Sequence, residues 1–275
     1  MTARFCLLLV ALPLASGCGP LRGPDRNSAA LPQNGTVSDK PRLTFRDGEV
    51  LRYSLVHDTR YSLTGPLAPS PVEMHVAFSA TQVHSVVDIE GPRARIEVRL
   101  EDVKLAKGDD ALARRIAGQV ATLWVAPSGL AEVRHSEPGR GPGAPASVAY
   151  LGVVLPNRSP RATHRWDVQL SFPIGRLLGR VVPEEHVIPV AVRYTLEAPR
   201  ERGQVLRYSG RRDFEFEHAA ERAVGTLEVN GLAELTRDGS RVAFNEESAA
   251  VVAEIEMAGR SGSVRVVTKS TLRLP

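Results

Sequence analysis

"VEMHVAFSATQVHSVVDIE", residues 72–90, sets Val72, Met74, Val76 and Phe78 on one side of an extended chain and Glu73, His75 and Ala77 on the other. Alternation with a period of two marks a strand with one covered face and one wet face. The stretch runs for about 18 residues, where 5 or 6 is usual, and so long a strand needs bulges and curvature to avoid a flat exposed sheet. This reading predicts an antiparallel, mainly β fold.

The same period extends in both directions. In "EVLRYSLV" (49–56), Leu51, Tyr53 and Leu55 oppose Arg52 and Ser54, and in "RIEVRL" (95–100), Ile96, Val98 and Leu100 oppose Glu97 and Arg99. The second half repeats the pattern in "VAVRYTL", "QVLRYSGRRDFEFE", "VGTLEVNGLAEL", "SRVAFNE", "AVVAEIEM" and "SVRVVTKSTLRL", with turn chemistry such as "RDGS" and "AGRSGS" between them. "TLWVAPSGLAEVR" (122–134) reads as a hairpin turning at Pro127-Ser128-Gly129. The expected fold is one or more long curved antiparallel sheets, forming a half-barrel or a sandwich, with one or two short helices. "DDALARRIAGQV" (109–120) has acidic capping residues followed by a stripe of Leu112, Ile116 and Val120, which predicts a helix. "SVAYLGVVLP" (147–156) reads either as a second helix ended by Pro156 or as a buried strand.

"GEVLRYS" (48–54) returns as "GQVLRYS" (203–209), each copy followed by a second strand, a Gly-containing turn and a third strand. Internal duplication and convergence on a good strand sequence both account for so short a match. The breaks divide the chain into 1–17, 18–40, a β-rich first half 41–155 and a β-rich second half 156–275 packed against it.

Composition excludes several classes. Among 35 basic residues only Lys40, Lys104, Lys107 and Lys269 are lysines, and 31 acidic residues are interspersed, leaving a net charge of +4. No basic cluster suited to nucleic acid stands out. Arg93, Arg95, Arg207, Arg211 and Arg212 are read either as contacts for anionic headgroups or acidic glycans or as a solvated face. The seven histidines form no HExxH or HxH motif, and no GxSxG elbow is present, so no catalytic residue, metal ligand or cofactor is assigned. His75 falls on the polar face, the Glu246-Glu247 pair reads as the polar end of a strand, and Trp124 and Trp166 are read as core residues or as side chains at a cavity mouth.

The first eighteen residues carry an address. "MTAR" supplies a positive charge, "FCLLLVALPL" an apolar core, and "ASGC" ends the segment, which together read as a secretory signal. These residues resemble a bacterial lipoprotein signal, with Ala15 where that family usually has Leu. The resemblance implies that Cys18 is acylated through its thiol and becomes the first mature residue, and that Gly19 directs the protein to the outer membrane, facing the periplasm. Once Cys6 is removed with the leader, Cys18 is the only cysteine left, and acylation removes the liability of a free thiol in an oxidising compartment. Residues 19–40, rich in Pro, Gly and small polar residues, read as a flexible tether.

The tethered β module with long strands also resembles the half-barrel lipoprotein-carrier class of envelope proteins. That resemblance implies an apolar cavity for an acyl chain or a lipidated partner, lined by Leu51, Tyr53, Leu55, Met74, Val76, Phe78, Ile96, Val98 and Leu100. Packing of the same side chains against the helix stripe, with no cavity, is the alternative. The functional expectation is therefore a non-catalytic, lipid-anchored envelope protein that binds an apolar ligand, or a structural or interaction module with envelope partners and no small ligand.

Overall fold

A computed structural model describes residues 41–68, 70–107, 117, 120–135, 153–156, 165–172, 174–178, 182, 186–197, 204–218 and 221–275. The tether, the leader and all of the predicted helix 109–120 except Ala117 and Val120 lie outside the described residues, and Val120 opens a strand.

The strands are β1 (Val50–Thr64), β2 (Val72–Glu90), β3 (Arg93–Lys107), β4 (Val120–Val125), β5 (Ala131–His135), β6 (Arg165–Phe172), β7 (Ile188–Leu196), β8 (Val205–His218), β9 (Glu221–Leu235), β10 (Val242–Met257) and β11 (Arg260–Arg273). One helical turn, α1 (Gly175–Leu178), lies between β6 and β7. It falls in a stretch for which the sequence suggested no helix. The described end of 147–156 is neither helix nor strand: Val153, Val154 and Leu155 are buried in an irregular segment, and the Leu155 N–H bonds to the Ser128 carbonyl at 2.6 Å.

All the strands join one antiparallel sheet in the order β5-β4-β3-β2-β1-β11-β10-β9-β8-β7-β6. Each half is a meander, and the pairing of β1 with β11 joins the halves, so a two-sheet sandwich does not form among the described residues. The stretch 72–90 is a single 19-residue strand. The bulges expected of it are present as register shifts against β3 at Ala77/Phe78, Ser79/Thr81 and Val86/Asp88. Asp102, beside them on β3, takes a positive φ of 54°.

One face of the sheet carries the core. Residues paired across strands share a face, and the inward set includes Leu55, Leu272, Ala233, Leu206 and Leu196 toward one end of the strands and Val251, Val266, Leu227 and Val192 toward the other. These make two apolar clusters. Trp166 on edge strand β6 packs against both, and Leu130 from the β4–β5 turn packs into the cluster built mainly from β6–β11. The wings therefore approach each other across the inner face.

Segments at one end of the strands tie the wings together. The Leu43 N–H bonds to the Pro127 carbonyl at 2.9 Å and the Thr44 N–H to the Ser240 carbonyl at 3.2 Å, so residues 41–49 span from the β4–β5 turn to the β9–β10 turn. Arg241 clamps this strap with a two-pronged ion pair to Glu49 at 2.6 and 2.8 Å and with bonds to Thr44. Gly129 turns the β4–β5 hairpin with φ of 83°, and a Cβ there would lie 2.0 Å from the Val153 carbonyl oxygen. The predicted turn at Pro127-Ser128-Gly129 is where the chain reverses.

The outer face is laced with arginine–carboxylate pairs. Arg52 and Arg99 both reach Glu101 at 2.7 Å, Arg193 grips Asp167 at 2.9 Å, and Arg211 meets Glu228 at 3.0 Å. Val83 lies on this face between Arg52 and Arg99 in the pairing register and is wholly buried.

Candidate functional site

A row of side chains crosses the inner face between the two apolar clusters. The pairing register places Phe78, His57, Ser270, Glu247, Gly231, Tyr208, Tyr194 and Trp166 directly opposite one another, from β2 through β1, β11, β10, β9, β8 and β7 to β6. Its ends are aromatic and its centre is polar. Trp166 stacks on Tyr194 at 5.6 Å, Tyr194 on Tyr208 at 5.2 Å, and His57 lies 4.9 Å from Phe78.

Glycine organises the middle of the row. Tyr208 on β8 must cross β9 to reach β10, and a Cβ at Gly231 would sit 2.0 Å from its ring. Because position 231 carries no side chain, the ring lies over the β9 backbone and its hydroxyl donates to Glu247 Oε2 at 2.8 Å, with Asn245 Oδ1 at 3.2 Å. Burial pushes the Glu247 carboxyl up to about 7, the Tyr208 hydrogen bond opposing that shift. The same burial, reinforced by the neighbouring carboxylate, holds the Tyr208 phenol well above its ordinary value.

His57 forms the other half of the polar centre. Its Nδ1 is 2.9 Å from Ser270 Oγ and its Nε2 is 2.8 Å from Thr59 Oγ1, which in turn lies 3.1 Å from Thr268 Oγ1. A neutral imidazole donates from one nitrogen and accepts at the other, so the flanking hydroxyls take complementary roles. Burial lowers His57 to about 4, with Asp58 acting in the opposite direction. Two residues along β2 from Gln82, His84 accepts the Gln82 amide at 2.9 Å and is lowered by burial to about 3.

Hydroxyl, imidazole and carboxyl thus occur together, but the imidazole is flanked by hydroxyls and is a weak base. His57 is fully buried and Glu247 is 7% exposed. The arrangement satisfies polar groups inside a core and raises the proton affinity of Glu247, with Ser270 half-buried at its centre. Among the described residues, no group of three His, Cys, Asp or Glu side chains is placed to hold a metal ion.

The predicted lining residues do converge on the inner face. Tyr53, Leu55, Val76, Phe78, Ile96, Val98 and Leu100 are buried and Leu51 is half-buried, all in or against one cluster, while Met74 is half-buried nearer the opposite end of β1 and β2. A depression among the described residues lies elsewhere, on the outer face. It is an open polar groove of about 420 Å³ over β6–β9, lined by Asp167, Arg193, Ser209, Arg211, Glu228 and Asn230 among others. Cys18 lies outside the described residues. His75 is on the wet face, bonded to Asp58 at 2.6 Å. Trp166 is half-buried and donates Nε1–H to the Val154 carbonyl at 3.1 Å, and Trp124 is half-buried opposite Arg95. Of the arginines singled out from sequence, Arg207 pairs with Glu197, Arg211 with Glu228, and Arg95 lies 3.7 Å from Asp88.

Sequence reasoning missed Glu247. It was read as the polar end of a strand, whereas it stands in phase with Ala249, Val251, Ala253 and Ile255 on the inner face of β10. That phase was the available signal. His57 likewise shares the parity of Tyr53 and Leu55.

No protein-family model matches this chain, and no curated protein matches it significantly.

Proposed function

We propose that this chain is a lipid-anchored protein of the bacterial envelope, non-catalytic, whose folded part is a structural or protein-interaction module carried on the 18–40 tether. The anchor rests on the leader, the "ASGC" ending and the lone remaining Cys18. The observation that carries the choice of module over carrier is the filling of the inner face. Seven of the nine side chains expected to line an acyl cavity are at most 4% exposed and pack on their own protein.

A half-barrel that binds an acyl chain or a lipidated partner is the second reading. Half-buried Tyr61, Leu63, Leu67, Phe216 and Met257 favour it, an apolar rim at the end of the sheet away from the strap. Such a rim suits the entry of an apolar ligand more readily than a sealed end does.

The two readings separate in one experiment on the chain lacking residues 1–17. Native mass spectrometry of protein purified without detergent shows the bare polypeptide mass if the module reading holds; co-purifying acyl lipid would replace it with the carrier. Intact-mass analysis of protein from a bacterial envelope tests the anchor, since an unmodified Cys18 removes it.

The motif repeat supports an internal duplication. β8–β9–β10–β11 and β1–β2–β3–β4 follow one another across the sheet as meanders running the same way, and each opens shortly after the glycine of its "GxVLRYS". Both motif tyrosines, Tyr53 and Tyr208, face inward and are buried.

A further inference from the structure

We propose that the polar groove on the outer face over β6–β9 is a binding site for a short, uncharged glycan. This goes beyond the module reading and uses the envelope reading only for where such a ligand is met.

Sheet geometry makes the groove. Asp167, Arg193, Ser209 and Asn230 stand directly opposite one another on β6, β7, β8 and β9, and Arg211 stands opposite Glu228 beside them. The two arginines are pinned across strands. Arg193 grips Asp167 through Nε and Nη2 at 2.9 and 3.2 Å, and Arg211 reaches Glu228 through Nη1 at 3.0 Å. Ala191, Ser209 and Gly210 lie among them with small side chains or none, which keeps the floor low. The space of about 420 Å³ falls within the range of about 300–1,000 Å³ usual for ligand sites. Four strands at ladder spacing give it a length of about 14 Å.

Charge selects against ions. Two guanidinium groups and two carboxylates line the groove, so an anion meets Asp167 and Glu228 and a cation meets Arg193 and Arg211. The surrounding outer face keeps this balance: Arg207 pairs with Glu197, Arg211 also lies 3.7 Å from Asp213, and Lys269 stands opposite Asp58. In the adjoining row Arg165 and Glu246 carry one charge of each sign.

Shape and hydrogen bonding select the rest. Of the lining residues only Ala191 carries an apolar side chain, so acyl chains and aromatic rings find no wall to pack on. Peptides bind by adding a strand to a free ladder edge, by filling apolar recesses, or by meeting an arginine cluster with acid. The groove lies over main chain already paired between neighbouring strands, it lacks apolar recesses, and its arginines are matched by carboxylates. It does offer hydrogen-bonding capacity of both kinds, from the exposed Ser209 hydroxyl, the exposed Asn230 amide, Arg193 Nη1 and the remaining lone pairs of Asp167 and Glu228. Sugar hydroxyls donate and accept together and carry no charge, which is the chemistry this lining matches.

The test titrates the chain lacking residues 1–17 with maltotriose and with the trimer of N-acetylglucosamine, up to about 10 mM, following backbone amides by NMR. At least one trisaccharide should shift the signals of residues 209–211 and 228–230 and leave those of the strap, 41–49, in place. Ser209→Ala and Asn230→Ala, at exposed positions, should each weaken that binding by roughly three- to tenfold, while Ser79→Ala, elsewhere on the outer face, should not. Raising the salt concentration should leave the affinity unchanged, since no net charge is exchanged. Silence of the groove with both sugars, shifts confined to other parts of the sheet, or tighter binding of tri-glutamate or tri-lysine in the groove would overturn the proposal. Binding in solution is independent of whether Cys18 is acylated, which intact mass decides separately.

Discussion

Two tyrosines in the same seven-residue motif meet different fates. Tyr53 and Tyr208 each stand at the fifth position after the motif glycine, each faces inward and each is buried. Tyr208 lies over Gly231 and gives its hydroxyl to Glu247 and Asn245. The Tyr53 hydroxyl is buried with no hydrogen-bond partner, and its ring packs against His84 at 4.8 Å. Burial raises the phenol pKa in both. Identical local sequence therefore fixes the direction of a side chain, while the strands beside it decide whether its polar atom contributes or costs.

The sharpest break of this contrast is at Gly231. Replacing it with Val forces the Tyr208 ring off β9 and strands Glu247, which should destabilise the fold by about 4 kcal/mol or prevent folding, read by denaturant unfolding. No glycine lies under Tyr53 in the register, where its neighbour is Gln82.

Glu247→Gln removes a proton-linked group. The folded pKa is raised to about 7 from an ordinary 4.5, so the native state binds the extra proton, and this contribution is present below 4.5 and lost as pH rises through 7. His57 and His84, lowered to about 4 and 3, act oppositely: their contribution is present above 6.5 and lost as pH falls toward those values. In the parent the two trends oppose each other between pH 4.5 and 6.5. In the Gln variant stability should climb more steeply with pH across that window, by about 1.4 kcal/mol per pH unit relative to the parent. Parallel curves would show that Glu247 does not hold its proton.

Tyr208→Phe should cost about 1–3 kcal/mol by leaving the buried carboxyl without its donor, whereas Tyr53→Phe should be neutral or slightly stabilising. Equal losses at the two sites would dissolve the comparison. The smallest effect is expected on the wet face. Glu101→Gln weakens the Arg52 and Arg99 contacts on the wet face and should leave the unfolding midpoint unchanged within error.

Much of the sheet was legible along the chain. The alternation in 72–90 marked one long bulged strand, the hairpin at 126–130 turned where Pro127-Ser128-Gly129 suggested, and the nine inward candidates do lie on the inner face. The polar row was not legible in the same way. Glu247 was judged by its charge and its neighbour Glu246 rather than by its phase, because a carboxylate is rarely placed in a core without a partner, and its partner lies 39 residues away in sequence. α1 went unseen because a single turn carries no periodicity.

By itself the chain determined which side chains point inward, since pleating sends successive residues to opposite faces whatever surrounds them. It also supplied the cysteine and the tether from which the envelope reading is drawn. Only the tertiary arrangement decided that β1 pairs with β11, that His57, Ser270, Glu247 and Tyr208 fall in one row, and that a glycine opens the path between β8 and β10. Those outcomes depend on register between strands far apart in sequence, and pairing over such distances is set by the packing of the whole inner face.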